Sequence, residues 1–77
     1  MISLGVYRHY KGNYYKVIGF AKHSETMEDM VIYQAIYGER GIWVRPLFMW
    51  SELVEVDSKT VQRFEYVGSD EPNQIPK

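Results

Sequence analysis

Eighteen residues from Tyr33 to Trp50, YQAIYGERGIWVRPLFMW, constrain the fold of this chain more than any other stretch. The residues before Gly38 alternate as a strand does, and the alternation breaks at Gly38-Glu39-Arg40-Gly41, where glycines supply the positive φ a tight reversal needs. The extended pattern resumes at Ile42-Trp43-Val44-Arg45 and stops at Pro46, which cannot donate to a ladder and marks an edge, bulge or strand end. Strand, turn and strand within so short a span predict a small antiparallel β domain.

Seventy-seven residues make one domain at most, and a domain near this size buries only about 60% of the surface its unfolded chain exposes. There is no cysteine, so neither disulfides nor a thiolate zinc site can staple the fold. Seven Tyr, two Trp and three Phe supply large buried area instead. Fourteen Val and Ile against three Leu and two Ala favour strands over helices.

Val6 to Tyr10 predicts a first strand, Lys11-Gly12-Asn13 a hairpin turn of type II′ with glycine first, and Asn13 to Ala21 its partner strand. Gly19 is the expected site of a sharp bend. Lys22 to Asp29 has no periodicity and reads as a loop; Met30 to Tyr37 then gives a strand with Val31, Tyr33, Ala35 and Tyr37 facing inward. A short helical turn is expected from the capping serine Ser51, followed by strands at 53–56 and 61–67 around a turn at Asp57-Ser58-Lys59. The fold class is therefore all-β: a small SH3-like barrel of about five strongly bent antiparallel strands over residues 1–67, an OB-type barrel being second, with a flexible tail at 68–77.

The opening residues MISLGVYRHYKG lack a basic leader with a long apolar run, and no stretch reaches the roughly 18 apolar residues of a membrane span, so a cytoplasmic setting is expected. The net charge of −1 is uneven: residues 1–24 carry four basic groups and no acidic one, whereas 25–77 carry five basic and ten acidic. In a barrel these halves interleave, so basic strands beside acidic ones explain the asymmetry without an anionic partner.

Several residue types suggest chemistry. His23-Ser24-Glu25 has the composition of a hydrolase triad, but adjacent residues cannot form one, and Ser24 and Thr26 more simply organise the loop backbone. Two histidines fourteen residues apart do not make a zinc site. Glu25, Glu28 and Asp29 lack the regular oxygen ligands and central glycine of a cation loop. No metal and no cofactor are expected.

The aromatic and basic set Tyr7, His9, Tyr10, Tyr14, Tyr15, Trp43 and Arg45 is the stronger candidate, since rings beside guanidinium groups stack bases, prolines or methylated cations. Trp43 and Arg45 share a strand face at spacing two, although Arg45 covering a tryptophan ring for packing would need no ligand. A pI of about 6.1 argues against a binder of double-stranded nucleic acid.

Tyr7, His9-Tyr10-Lys11-Gly12, Tyr15, Ala21, His23-Ser24-Glu25-Thr26, Tyr37-Gly38, Trp43-Val44-Arg45-Pro46-Leu47 and Arg63-Phe64 together resemble domain-of-unknown-function family 1653, short bacterial proteins, over Gly5 to about Val67. The resemblance implies a compact β-barrel and a bacterial cytoplasmic setting, and it brings no activity, cofactor or catalytic residue.

The leading expectation is a non-enzymatic binding module whose groove, with Tyr7, His9, Trp43 and Arg45, takes a peptide or protein, or less readily a single-stranded nucleic acid. The alternative is a small enzyme or metabolite-binding protein using His9, His23 and Glu25. A homodimer formed through an exposed strand is a third reading.

Overall fold

The computed structural model describes residues 2–69. Seven strands and one helical turn follow in order: β1 Gly5–His9, β2 Tyr14–Lys22, β3 Asp29–Ala35, β4 Ile42–Pro46, α1 Leu47–Trp50, β5 Leu53–Val56, β6 Lys59–Gln62 and β7 Phe64–Gly68. Five strands make an antiparallel sheet in the order β4-β3-β2-β1-β7, and β5 and β6 form a separate hairpin. The all-β class stands, but the barrel needs correction: β4 and β7 remain the edges of the sheet and are not hydrogen-bonded to each other among the described residues. Side chains bridge the opening instead, with the Arg45 guanidinium of β4 lying 5.6 Å from the centre of the Phe64 ring on β7.

The curl has a local cause. In β2, Val17 pairs with Tyr33 and Gly19 with Ile32, so Ile18 is an extra residue, and this bulge bends the strand where glycine was expected to permit it. The bulge also resets the alternation. Strict alternation would put Phe20 on the face opposite Val17, but with the extra residue it pairs with Val31 and joins Val17's face. A second irregularity separates Val6 from Tyr7 opposite β7. Here Gly5 adopts φ 129°, and a Cβ on it would lie 2.8 Å from the Gly68 carbonyl oxygen.

Three further expectations are revised. The first hairpin closes with His9 N donating to Asn13 O and Gly12 N to His9 O, and Gly12 takes its positive φ of 107° at the end of the turn rather than at its start. The helical turn is the apolar run Leu47–Trp50 itself, with Ser51 as its C-cap instead of its N-cap. The expected strand at 61–67 is two strands. Arg63 interrupts it, donating its N–H to Glu52 O and accepting at its carbonyl from Tyr10 N, and the chain steps there from the small hairpin to the main sheet. β7 ends at Gly68, and from Asp70 onward the tail expected at 68–77 lies outside the described residues.

Val31, Tyr33 and Ala35 face inward as their alternation predicts, at 0%, 8% and 5% exposure. α1 is a single turn, and its effect is to drive Trp50 into the curled sheet. The indole, 1% exposed, stacks on Phe64 with ring centres 3.7 Å apart and planes 2° from parallel, while the Tyr7 and Tyr33 rings meet it in edge contact at 5.3 and 4.9 Å. Each such pair adds about 0.5–1.5 kcal/mol beyond area burial. In a cysteine-free domain this ring cluster takes the place of a covalent staple.

Candidate functional site

Register places Tyr7, His9, Tyr15, Trp43 and Arg45 on one face of the sheet, whereas Tyr14, paired with Arg8, lies on the other and Tyr10 falls in the β1–β2 turn. Tyr7 pairs with Tyr15, His9 with Phe64, Val17 with Tyr33, Tyr33 with Trp43, and Val31 with Arg45, and directly paired residues point the same way. This is also the core face. Trp50 fills its middle, and its outer part surrounds the Phe64 ring. His9, Tyr15 and Tyr33 lie around that ring at 4.9, 5.8 and 6.3 Å between ring centres, and the Arg45 guanidinium lies over it. Arg45 thus covers a phenylalanine, not the tryptophan that a packing role suggested.

The charges that act on His9 share one sign. His9 accepts a hydrogen bond at Nδ1 from Lys11 N at 3.2 Å, which leaves its proton on Nε2. Burial lowers the imidazole pKa below 6.5, and the charges of Arg63, Arg45 and Lys11 lower it further. All three cations therefore project their field onto one half-buried ring. Three buried side-chain nitrogens among the described residues have no acceptor: Arg45 Nε, Arg63 Nε and Trp50 Nε1. Each of them can only donate. Arg63 reaches Glu52 through its terminal nitrogen at 3.4 Å, and Glu52 is itself substantially exposed. Tyr15 and Tyr37 share a hydrogen bond of 2.7 Å between hydroxyls. Burial pushes the Tyr15 pKa up to about 12, with the bond to Tyr37 as the next cause, so this phenol is a fixed neutral group at physiological pH.

Trp43 and Tyr66 bring rings to the surface at 61% and 49% exposure. Trp43 lies on the edge strand β4 and borders the basic rim; its neighbours Ile42 and Val44, also 61% exposed each, point by alternation to the opposite face. Tyr7, by contrast, is 5% exposed and belongs to the core, its hydroxyl donating to Ser3 O at 2.8 Å.

His23 and Glu25 are elsewhere. His9 stands at the β1–β2 turn and His23 beyond the opposite end of β2, a nine-residue strand that spans roughly 25 Å at about 3.3 Å per residue. His23 Nδ1 accepts from the N–H groups of Glu25 and Thr26 at 3.1 and 3.3 Å, and Thr26 Oγ1 accepts from Glu28 N. The imidazole organises its own loop, the role expected for Ser24. At the base of that loop Lys22 and Asp29, partners across β2 and β3, form an ion pair at 2.6 Å, so a basic and an acidic half of the chain do meet there. Among the described residues no three His, Asp or Glu side chains gather as a metal set, and no helix is long and apolar enough to cross a membrane.

Arg63, Phe64 and Trp50 take part in this site without having been singled out as ligand-contacting. The sequence signal for the first two was the Arg63-Phe64 landmark pair; for Trp50 it was only its place at the end of an apolar run.

A family model described as a protein of unknown function, DUF1653, matches residues 5–66 of this 77-residue chain. The chain belongs to the DUF1653 family. A crystal structure of a DUF1653 protein from Bordetella bronchiseptica is 39% identical to it, covers 94% of this chain and 95% of that one, and superimposes with a TM-score of 0.84. Its β-sheet architecture is thus shared with a solved member of the family. No curated protein matches.

Proposed function

We propose that this DUF1653 chain is a non-enzymatic binding module that captures an acidic, extended segment of a peptide or protein on its aromatic and basic face. The observation that carries the reading is the pair of buried guanidinium Nε groups, Arg45 and Arg63, without an acceptor beside an imidazole whose pKa is lowered by burial and then by their charge. A buried donor left unpaired costs about 1–3 kcal/mol, so a face that retains two of them suits a ligand rich in acceptors. Trp43 adds contact area at the rim, and the exposed edge of β4 offers main-chain groups to an incoming strand. In this reading the curled sheet serves as an SH3-like scaffold in the bacterial cytoplasm.

The test is a titration of the chain with a short Asp/Glu-rich peptide containing one Phe, an Ala/Ser peptide of equal length and an oligothymidylate, followed by both indole N–H resonances. The acidic peptide should bind, and Trp43→Ala and Arg45→Met should each weaken it at least tenfold with the fold preserved. Equal binding by the parent and both variants would place the site elsewhere. Preference for the oligothymidylate would make the ligand a single-stranded nucleic acid, and a dimer by light scattering that buries Trp43 would make it a second copy of the chain.

A further inference from the structure

β4 is an edge strand, and the ladder that joins it to β3 fixes which of its main-chain groups are spare. Ala35 N donates to Gly41 O, so in the register of this ladder the hydrogen-bonded pairs are Ala35 with Gly41, Tyr33 with Trp43 and Val31 with Arg45. The N–H and C=O groups of Trp43 and Arg45 therefore turn toward β3. Those of Ile42 and Val44, and the C=O of Pro46, turn away from it, with no strand beyond them among the described residues. Pro46 stands where an edge tolerates it, since the N–H it lacks belongs to the outward set. The two faces of the strand also differ in chemistry. Trp43 and Arg45 point to the aromatic and basic face, whereas Ile42 and Val44 point to the other, beside Ile32, the partner of Val44 on β3.

We propose that the segment this chain captures joins the sheet as a strand antiparallel to β4, and that its residues alternate, acidic or aromatic on one side and apolar on the other. The inference rests on the acidic-segment reading above and adds to it a main-chain mode of binding and a residue order. An antiparallel neighbour meets the outward groups of β4 with perpendicular bonds, whereas parallel pairing is slanted and slightly less stable. Opposite Ile42 and Val44 the new ladder has its hydrogen-bonded pairs. Opposite Trp43 and Arg45 fall the non-hydrogen-bonded pairs, where Cα atoms are about 4.5 Å apart and side chains lie closest. The residue facing Arg45 is acidic, because that arginine is half-buried, carries its guanidinium across the opening between the two sheet edges and pairs with no carboxylate among the described residues. The residue facing Trp43 is aromatic and sets a ring against the exposed indole. Those facing Ile42, Val44 and Pro46 are β-branched and apolar, since Ile42 and Val44 leave apolar surface to cover, 61% of each being exposed. A segment that is acidic without alternating would set carboxylates against Ile42 and Val44 and lose that burial.

The test is amide hydrogen exchange along β4, read by NMR on the full chain. In the free chain the Ile42 and Val44 amides should exchange fast and those of Trp43 and Arg45 slowly, as the phase of the ladder requires. Three peptides are then titrated: Thr-Val-Glu-Val-Tyr-Val-Glu, its isomer Val-Val-Val-Tyr-Thr-Glu-Glu, and the first peptide N-methylated at its central Val, the residue whose N–H would bond the Val44 carbonyl. The first should bind and slow exchange at Ile42 and Val44 by at least about tenfold at saturation. The isomer and the N-methylated peptide should each bind about tenfold more weakly, the effect of one lost hydrogen bond in the second case. Binding of the first peptide with the Ile42 and Val44 amides still in fast exchange, or equal binding of all three, overturns the inference and leaves the acidic-segment reading standing. If no acidic peptide binds at millimolar concentration, that reading falls and this one with it. Slow exchange at Ile42 and Val44 that grows with chain concentration in the absence of peptide also overturns it, because the strand beside β4 is then a second copy of the chain.

Discussion

Arg45→Met separates a guanidinium kept for a ligand from one kept for packing. Methionine preserves an unbranched stem over the Phe64 ring and removes the charge together with the unpaired Nε. Leaving a buried donor without a partner costs about 1–3 kcal/mol, and stacking of the guanidinium on the ring returns about 0.5–1 kcal/mol at a partly exposed site. Among the described residues no carboxylate pairs with Arg45, so no ion pair among them is lost in the exchange. The variant should therefore be more stable than the parent by about 1 kcal/mol, which for a domain of this size is about 4–8 °C in Tm. Urea unfolding followed by Trp50 fluorescence, with calorimetry for Tm, measures this directly, because the indole sits within the cluster that unfolding opens. In the same preparation the acidic peptide should bind at least tenfold more weakly. Stability gained as binding is lost is the signature of a residue retained for function. If Arg45→Met instead costs more than about 1 kcal/mol, the arginine is a structural cover for Phe64 and the case for an anion site there collapses.

Gly5→Ala should destabilise the chain by at least about 2 kcal/mol, since φ is 129° and the new Cβ would meet the Gly68 carbonyl oxygen at 2.8 Å; a denaturation midpoint equal to the parent's would contradict the β1–β7 geometry. The His9 imidazole titrates below 6.5 in the folded chain, so as pH falls through that value the unfolded chain takes up the proton first. The stability it contributes is present above pH 6.5 and declines toward the lower folded value, and His9→Gln should flatten urea midpoints measured between pH 7 and 5; parallel curves for parent and variant would refute the burial and cationic surroundings that lower this pKa. Tyr15 is the opposite case, an acid raised to about 12, so the stability it carries is present below pH 10 and lost as pH rises from there toward 12. Phenolate absorbance should show a tyrosine ionising near 12 that Tyr15→Phe removes. Trp43→Ala, at a side chain 61% exposed, should change stability by less than about 0.5 kcal/mol in the same unfolding assay, and a larger loss would make the indole part of the core.

Sequence alone determined what depends on neighbours along the chain. Strand alternation put Val31, Tyr33 and Ala35 inward and put Trp43 and Arg45 on one face, because side-chain direction has a period of two wherever the ladder is regular. Gly19 marked the bend of β2, because a residue without Cβ concedes the backbone first. The landmark residues from Gly5 onward identified the family. Tertiary structure decided the rest. Trp43 lies within an extended run and Trp50 ends an apolar one, yet one indole is 61% exposed and the other 1%, and only the turn of chain after Pro46 distinguishes them. The break at Arg63 left a trace, since Gln62-Arg63 shifts the apolar positions from Val61 to Phe64 and Tyr66, but a phase slip could equally be a bulge; the interruption itself comes from bonds to Glu52 and Tyr10, remote in sequence. His9 and His23 look like candidates for one site until a nine-residue strand holds them at opposite ends of the sheet. The Phe64 ring joins Arg45, His9 and Trp50 because β7 returns to pair with β1, and pairing between strands far apart in the chain depends on how the whole sheet curls rather than on any local pattern.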